Sequence, residues 1–362
     1  ENLGISEKDI ASKKIQLPKY RAIYLDNLSK QDDNINWKKE AKFKEIIKDI
    51  KEVADADFKL PNNLNASLRS YQKTGYNWLK TLDKYGFGGI LADDMGLGKT
   101  LQIIAILQSE KQKYNKKINT KEENLLHTSI VVCPSSLYIN WKKEINKFAP
   151  ELKILIVSGS ASVREELIKQ SCNYDVVITS YDLLKRDIDF YEKIEFRYAI
   201  ADEAQYIKNN NTQNAKSLKK LNAVTRFALT GTPIENSLAE LWSIFDFVMP
   251  GYLFSYKKFK ENYELPIIKD SDESTTLRLQ KLVAPFILRR IKKEVLKELP
   301  DKTESIMYSQ MEEKQEKLYL SYLNKAKEEI KQEFDTNGFE KSRIKILSVI
   351  TRLRQLCCHP SL

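Results

Sequence analysis

Six short runs of apolar or β-branched residues punctuate the chain: Gly89–Ala92, Ile130–Cys133, Ile154–Val157, Val176–Thr179, Tyr198–Ala201 and Arg226–Leu229. Each is nearly continuous rather than alternating, which is the pattern of strands covered on both faces. Between them lie longer stretches with apolar residues at helical spacing, Leu101–Leu107 among them. That alternation predicts an α/β fold, a doubly wound and mostly parallel sheet with helices on both faces.

The pattern changes outside this core. Residues 1–63 form a lysine-rich flank with a helix expected near Trp37–Val53 and a turn at Pro61-Asn62-Asn63. Residues 64–237 carry the six strands. From 238 to 300 the chain turns helical and aromatic (Trp242, Phe245, Phe247, Phe259, Tyr263), with a polar loop at Lys269–Ser274, and is expected to be a helical insertion. Residues 301–362 are densely charged, with Leu, Ile and Tyr at helical spacing, and predict two long helices broken at Asp335-Thr336-Asn337-Gly338.

Candidate chemistry falls at two strand ends. Asp93–Thr100 reads DDMGLGKT, between the first strand and a helix. Gly96 and Gly98 can adopt positive φ, so backbone N–H groups can close on phosphate oxygens at the positive end of that helix. Lys99 supplies a charge for the β and γ phosphates and Thr100 a hydroxyl for Mg²⁺. The general pattern has glycine where this chain has Asp93. About a hundred residues on, Tyr198–Ala201 runs into Asp202-Glu203-Ala204-Gln205. A buried strand ending in two acids delivers both to the carboxyl edge of the sheet, where α/β folds place ligands. Asp202 is then placed to hold Mg²⁺ and Glu203 to orient or deprotonate water, so the two elements together point to phosphoryl transfer.

Charge and cysteine content adjust this picture only slightly. With 60 basic and 50 acidic side chains the net charge is +10, compatible with a polyanionic partner. The four cysteines and two histidines have no zinc-site spacing and are expected to be reduced thiols of a cytoplasmic protein. No apolar stretch is long enough to span a membrane. Neither H-R-D nor D-F-G occurs, which sets a protein kinase aside.

Several strings together resemble one family: LRSYQ (68–72), DDMGLGKT (93–100), CPSSLYINW (133–141), ITSYD (178–182), DEAQ (202–205), LTGTPIENSLAELWSIFDFVMPG (229–251), PFILRRIKKEVLKELPDKTE (285–304) and LRQLCCHP (353–360). They are similar to the first half of the ATPase motor of the Swi/Snf family, superfamily-two translocases on double-stranded DNA, and residues 17–60 are similar to the segment leading into bacterial members. The resemblance implies a RecA-like lobe one that binds ATP and Mg²⁺. Gln72 would read the adenine edge, Gly96, Leu97, Gly98, Lys99 and Thr100 would hold the phosphates, and Asp202 and Glu203 would serve metal and water. Thr230 and Thr232 of the TGTP segment would couple nucleotide state to DNA grip. Ser135, Trp141, Ser180, Tyr181 and Asn236 lie in motifs that touch the DNA backbone, and Lys142 adds a basic group suited to phosphate. Trp141 and Tyr181 are as residue types more often core than ligand.

The same resemblance implies that the chain is part of a longer protein and that a second RecA-like lobe, bearing arginine fingers, lies beyond it. Taken alone, the chain is then expected to hydrolyse ATP weakly. The expected function is ATP-dependent translocation on duplex DNA, with a nucleoprotein complex as one form of substrate. A strand-separating helicase and a non-catalytic nucleotide-gated scaffold are the alternatives, and Gln205, where many helicases have histidine, disfavours an RNA helicase.

Overall fold

The computed structural model describes residues 17–29, 38–51, 56–119, 126–231, 237–296 and 303–359. They belong to two compact units, Glu1–Glu298 and Leu299–Leu362.

The first unit is built on a seven-stranded sheet: β1 (Gly89–Leu91), β2 (Ser129–Cys133), β3 (Ile154–Ile156), β4 (Val176–Ser180), β5 (Glu195–Ala201), β6 (Asn222–Leu229) and β7 (Ile287–Leu288). Every pairing is parallel, in the order β3-β4-β2-β5-β6-β1-β7. The continuous apolar runs therefore become strands buried on both faces: Ile130, Val131, Val132, Val176, Val177 and Ile178 are fully buried. Each such side chain stabilises the fold by about 1.5–3 kcal/mol. Six strands coincide with the six apolar runs. The seventh, β7, was not foreseen; it lies within 238–300, where only helices were expected, because two residues show no periodicity.

Helices connect the strands and cover the sheet. Ser70–Tyr85 ends at Gly86, whose φ of +73° provides the left-handed cap that a side chain would disfavour. Leu238–Val248 is apolar nearly all round and is buried accordingly. Lys269–Ser274, expected as a polar loop, is a tight interhelical turn in which the Asp272 carboxylate accepts from the N–H groups of Ser274 and Thr275. The N-terminal flank is tied in at Arg21, which donates to the carbonyls of Tyr252 (2.9 Å) and Gly251 (2.8 Å) and lies over the Phe254 ring.

In the second unit, residues 303–312 form neither helix nor strand and are largely exposed, and they are followed by helical chain from Glu313 to Cys358. Helical backbone continues through Asp335–Gly338, where the sequence predicts a break. Yet Gln315 Nε2 donates to Leu356 O at 2.6 Å and Lys345 approaches Glu329 at 3.9 Å. A straight helix rising about 1.5 Å per residue would hold Gln315 and Leu356 far apart, so the element doubles back as two antiparallel arms.

Candidate nucleotide site at the carboxyl edge of the sheet

The register of the sheet decides which residues meet. Leu91 pairs with Leu229, Ala201 with Ala228, and Val132 with Ala201, so β1, β6, β5 and β2 finish at a common edge. Asp93–Thr100 leaves from β1, Thr230 from β6, Asp202-Glu203 from β5 and Ser135 from just beyond β2. β6 lies between the two acidic elements, which places Thr230 between the phosphate loop and Glu203.

In the loop, Gly96 (φ +85°) and Gly98 (φ +78°) take the left-handed conformations that the sequence predicts. Gly98 has a second reason to lack a side chain, since a Cβ there would lie 2.5 Å from Gln72 Nε2. Leu97 is fully buried and anchors the loop from below, while Thr100 is half-buried in the first turn of helix Lys99–Asn119. Lys99 Nζ donates to the carbonyls of Asp93 (2.6 Å) and Asp94 (3.4 Å). Burial lowers its ammonium below the ordinary lysine value, against the pull of Asp93, Glu203, Asp202 and Asp94. The Gln72 amide donates to Leu97 O at 3.2 Å and accepts from Arg69 N at 2.9 Å, which pins the start of helix Ser70–Tyr85 to the loop.

At the end of β5, Asp202 is held by three neighbours. Trp141 Nε1 donates to its Oδ2 at 2.8 Å, Glu203 N donates to Oδ1 at 3.0 Å, and the Tyr181 hydroxyl donates to its carbonyl at 2.7 Å. Desolvation dominates and, aided by the charge of Glu203, pushes the carboxyl up to about 6, with the Trp141 bond opposing. The neighbouring Cys133 thiol is pushed up to about 12 by the same burial. Glu203 adopts φ +52°, a strained conformation for a residue with a side chain. Gln205 Nε2 donates to Glu203 Oε2 at 2.8 Å, and Thr230 Oγ1 donates to Gln205 Oε1 at 3.2 Å. A chain of side-chain hydrogen bonds thus runs from the end of β6 to the candidate water-orienting acid.

The edge brings Gln72, Gly96, Leu97, Gly98, Lys99, Thr100, Asp202, Glu203 and Thr230 into one site. The residues named for DNA divide into two groups. Ser135 and Lys142 are exposed. Trp141 and Tyr181 are 1% and 2% exposed, with their polar atoms taken by Asp202, and Tyr181 stacks on Tyr206 at 5.2 Å. Ser180 is buried and caps helix Tyr181–Tyr191 by accepting from Leu183 N. Thr232 and Asn236 lie outside the described residues.

Two functional features escaped the sequence reading. Asp93 is fully buried and forms an ion pair with Arg290, just beyond β7; the Gln205 bridge between Thr230 and Glu203 was also missed. The departure from glycine at Asp93 was the visible signal for the first. The fit to magnesium rests on Asp202: among the described residues no salt bridge neutralises this desolvated carboxylate, whose side-chain donor is the neutral Trp141 indole and which feels the Lys99 charge only at a distance, and with Thr100 it offers hard oxygen donors of the kind Mg²⁺ takes alongside phosphates and water.

Residues 71–362 match the family model of the SNF2-related domain, and residues 1–61 match that of the bacterial SNF2 helicase-associated domain. The putative ATP-dependent helicase/translocase YwqA of Bacillus subtilis is 38% identical over 313 residues, covering 84% of this chain and 32% of that protein. The TATA-binding protein-associated factor MOT1 of Saccharomyces cerevisiae is 38% identical over 320 residues, covering 84% of this chain and 17% of its own length. Among solved structures, the Sulfolobus solfataricus SWI2/SNF2 ATPase core in complex with dsDNA superposes with a TM-score of 0.59 at 39% identity, covering 84% of this chain and 61% of that one. The chain therefore spans a third or less of these two curated relatives. Among the described residues, no helix is long and apolar enough to cross a membrane.

Proposed function

Since the chain belongs to the SNF2-related family, we propose that it is the ATP-binding lobe of a motor that hydrolyses ATP and moves along double-stranded DNA without separating its strands. The observation that carries this reading is the hydrogen-bonded line Thr230–Gln205–Glu203, which ties the end of β6 to the acid best placed to act on water. A nucleotide-gated scaffold has no need of an oriented Glu203.

In this mechanism the N–H groups around Gly96 and Gly98 receive the phosphates and Lys99 leaves the Asp93 and Asp94 carbonyls to neutralise them. Magnesium, held by Thr100 and Asp202, would supply positive charge to the phosphate oxygens. Glu203 orients the attacking water while Gln205 fixes its carboxylate. Gln72, already over the loop, exchanges its backbone partners for the adenine edge. Thr230 passes the state of Glu203 to the segment containing Thr232 and Asn236, and thence to DNA. Ser135, just beyond β2, and Lys142, in helix Tyr138–Phe148, are both exposed and meet backbone phosphates, with Asn236 as a further contact, whereas Ser180, buried and spent on a helix cap, supports that edge from within. Trp141 and Tyr181 serve DNA indirectly, by positioning Asp202.

On the family pattern a second RecA-like lobe completes the site with arginine fingers, worth about 10³- to 10⁵-fold in turnover, so the present chain alone hydrolyses ATP slowly. Residues 64–237 would then form most of lobe one, preceded by the flank 1–63, with 238–300 a mostly helical insertion that returns β7 to the lobe's sheet and 301–362 leading to lobe two. The protein is proposed to be cytoplasmic and to act on naked duplex or on a nucleoprotein complex. The deciding experiment compares triplex displacement with unwinding of a forked duplex by the full-length protein. ATP-dependent triplex displacement without unwinding is expected. Unwinding would make it a helicase, and nucleotide-dependent DNA binding without turnover would make it a scaffold.

A further inference from the structure

The phosphate loop is gripped from its far side by a segment nearly two hundred residues away. Leu288 and Arg290 accept through their carbonyls from Ala92 N (2.7 Å) and Asp94 N (3.0 Å), extending the β1–β7 ladder into the loop, and Lys292 N donates to Asp94 Oδ2 at 2.9 Å. Within that ladder the Asp93 carboxylate is 0% exposed and receives the Arg290 guanidinium on both oxygens, Nε on Oδ1 at 2.8 Å and Nη2 on Oδ2 at 2.5 Å. Gln102, in the first turn of the following helix, closes the cluster: its Oε1 accepts from Arg290 at 2.8 Å and its Nε2 donates to Asp93 Oδ2 at 3.3 Å. Arg290 also donates to the carbonyl of Tyr71, beside Gln72. Helix Ser70–Tyr85 accommodates the cluster with a glycine, since a methyl group at Gly75 would collide with Gln102 Oε1 and come within 2.8 Å of Arg290 Nη2. A glycine inside a helix costs about 1 kcal/mol, so the space has a use.

We propose that Arg290 is a positioning residue for nucleotide: paired with Asp93, it fixes the backbone on which Lys99 waits and sets the loop in the geometry that receives phosphate. The link to Lys99 is direct, because the residue whose carboxylate Arg290 grips is the one whose carbonyl accepts from Lys99 Nζ at 2.6 Å. A bidentate, charge-assisted pair fixes orientation as well as distance, and a lysine in place of Arg290 would supply the charge without the fork. The aspartate standing where the general phosphate-loop pattern has glycine thus gains its own role as the loop's anchor.

This inference rests on the reading of the site as a nucleotide site, and the test separates the two. Binding of a fluorescent ADP analogue with Mg²⁺ is measured on the full-length protein for wild type, Lys99→Ala, Arg290→Gln, Arg290→Lys, Asp93→Asn and the double variant Asp93→Asn/Arg290→Gln, alongside melting without nucleotide. Arg290→Gln and Asp93→Asn are each expected to weaken binding about tenfold, the usual scale for a lost charge-assisted bond. The double variant should be no weaker than either single one, and Arg290→Lys should recover only part of the loss. The double variant also guards against misfolding, since it leaves no buried charge unpaired. Wild-type affinity in the Arg290 variants with only their melting lowered, or losses that multiply in the double variant, would overturn the positioning role alone. A wild-type protein that binds no nucleotide would overturn the site itself.

Discussion

Two buried aspartates end two strands of the same sheet edge, and their environments are opposite. Asp93, after β1, is locked in an ion pair with Arg290 and bonded to Gln102. Asp202, after β5, receives an indole N–H and a backbone N–H, both neutral, and burial pushes it up to about 6. A carboxylate paired within the fold anchors structure; one kept desolvated with no ion pair of its own, Lys99 acting on it only at a distance, is poised for an external cation. The contrast assigns roles that the residue types alone do not.

The largest effects should come from the residues that act on phosphate and water. Lys99→Ala should lower the ATPase of the full-length protein by at least about 10²- to 10³-fold and abolish nucleotide binding. Glu203→Gln should lower turnover comparably while leaving nucleotide affinity near wild type. Equal loss of affinity in both, read by the same binding titration, would remove the distinction between phosphate and water.

The next effect follows from linkage. Burial pushes the folded carboxyl of Asp202 up to about 6, above the ordinary aspartate value of 3.8, so between these pH values the folded state holds the proton more tightly. Stability from this group is full below about 4 and is lost as pH rises through about 6. In metal-free protein, Asp202→Asn should therefore raise stability at pH 7, by on the order of 2–3 kcal/mol, and flatten its decline between pH 4 and 6. Asp93→Asn should instead destabilise, because it strands Arg290. Chemical denaturation at several pH values checks both signs; destabilisation by Asp202→Asn at pH 7 would contradict the assignment.

Smaller still is the coupling effect. Thr230→Val removes the hydroxyl that bonds Gln205 and should cut triplex displacement roughly threefold to tenfold while ATPase falls less. Parallel falls would make Thr230 part of catalysis only. Last comes Lys142→Ala, which should reduce the slope of log K against log salt on duplex DNA by about 0.9 if that exposed side chain meets one phosphate. An unchanged slope would remove Lys142 from the DNA track.

The sequence disclosed most of this edge because its chemistry is local. Gly96, Gly98, Lys99 and Thr100 are consecutive or nearly so, and Asp202-Glu203 directly follow a continuous apolar strand. Six strands were legible for the same reason. What remained hidden depends on long-range register. Two residues of β7 carry no period, yet they bring Arg290 to Asp93 across 197 positions. Trp141 and Tyr181 sit in motifs associated with DNA, but only the fold shows their polar atoms spent on Asp202. Gln205 was noticed for its identity and not for its reach, since the bond to Thr230 requires β5 and β6 to be neighbours.

The contrast between the two aspartates is tested most directly by titrating Mg²⁺ against nucleotide affinity in wild type, Asp93→Asn and Asp202→Asn. Wild type and Asp93→Asn should both bind ADP more tightly as Mg²⁺ rises, from different starting affinities, whereas Asp202→Asn should lose most of that enhancement. Full Mg²⁺ enhancement in Asp202→Asn, or its loss in Asp93→Asn, would contradict the assignment of one carboxylate to the metal and the other to the fold.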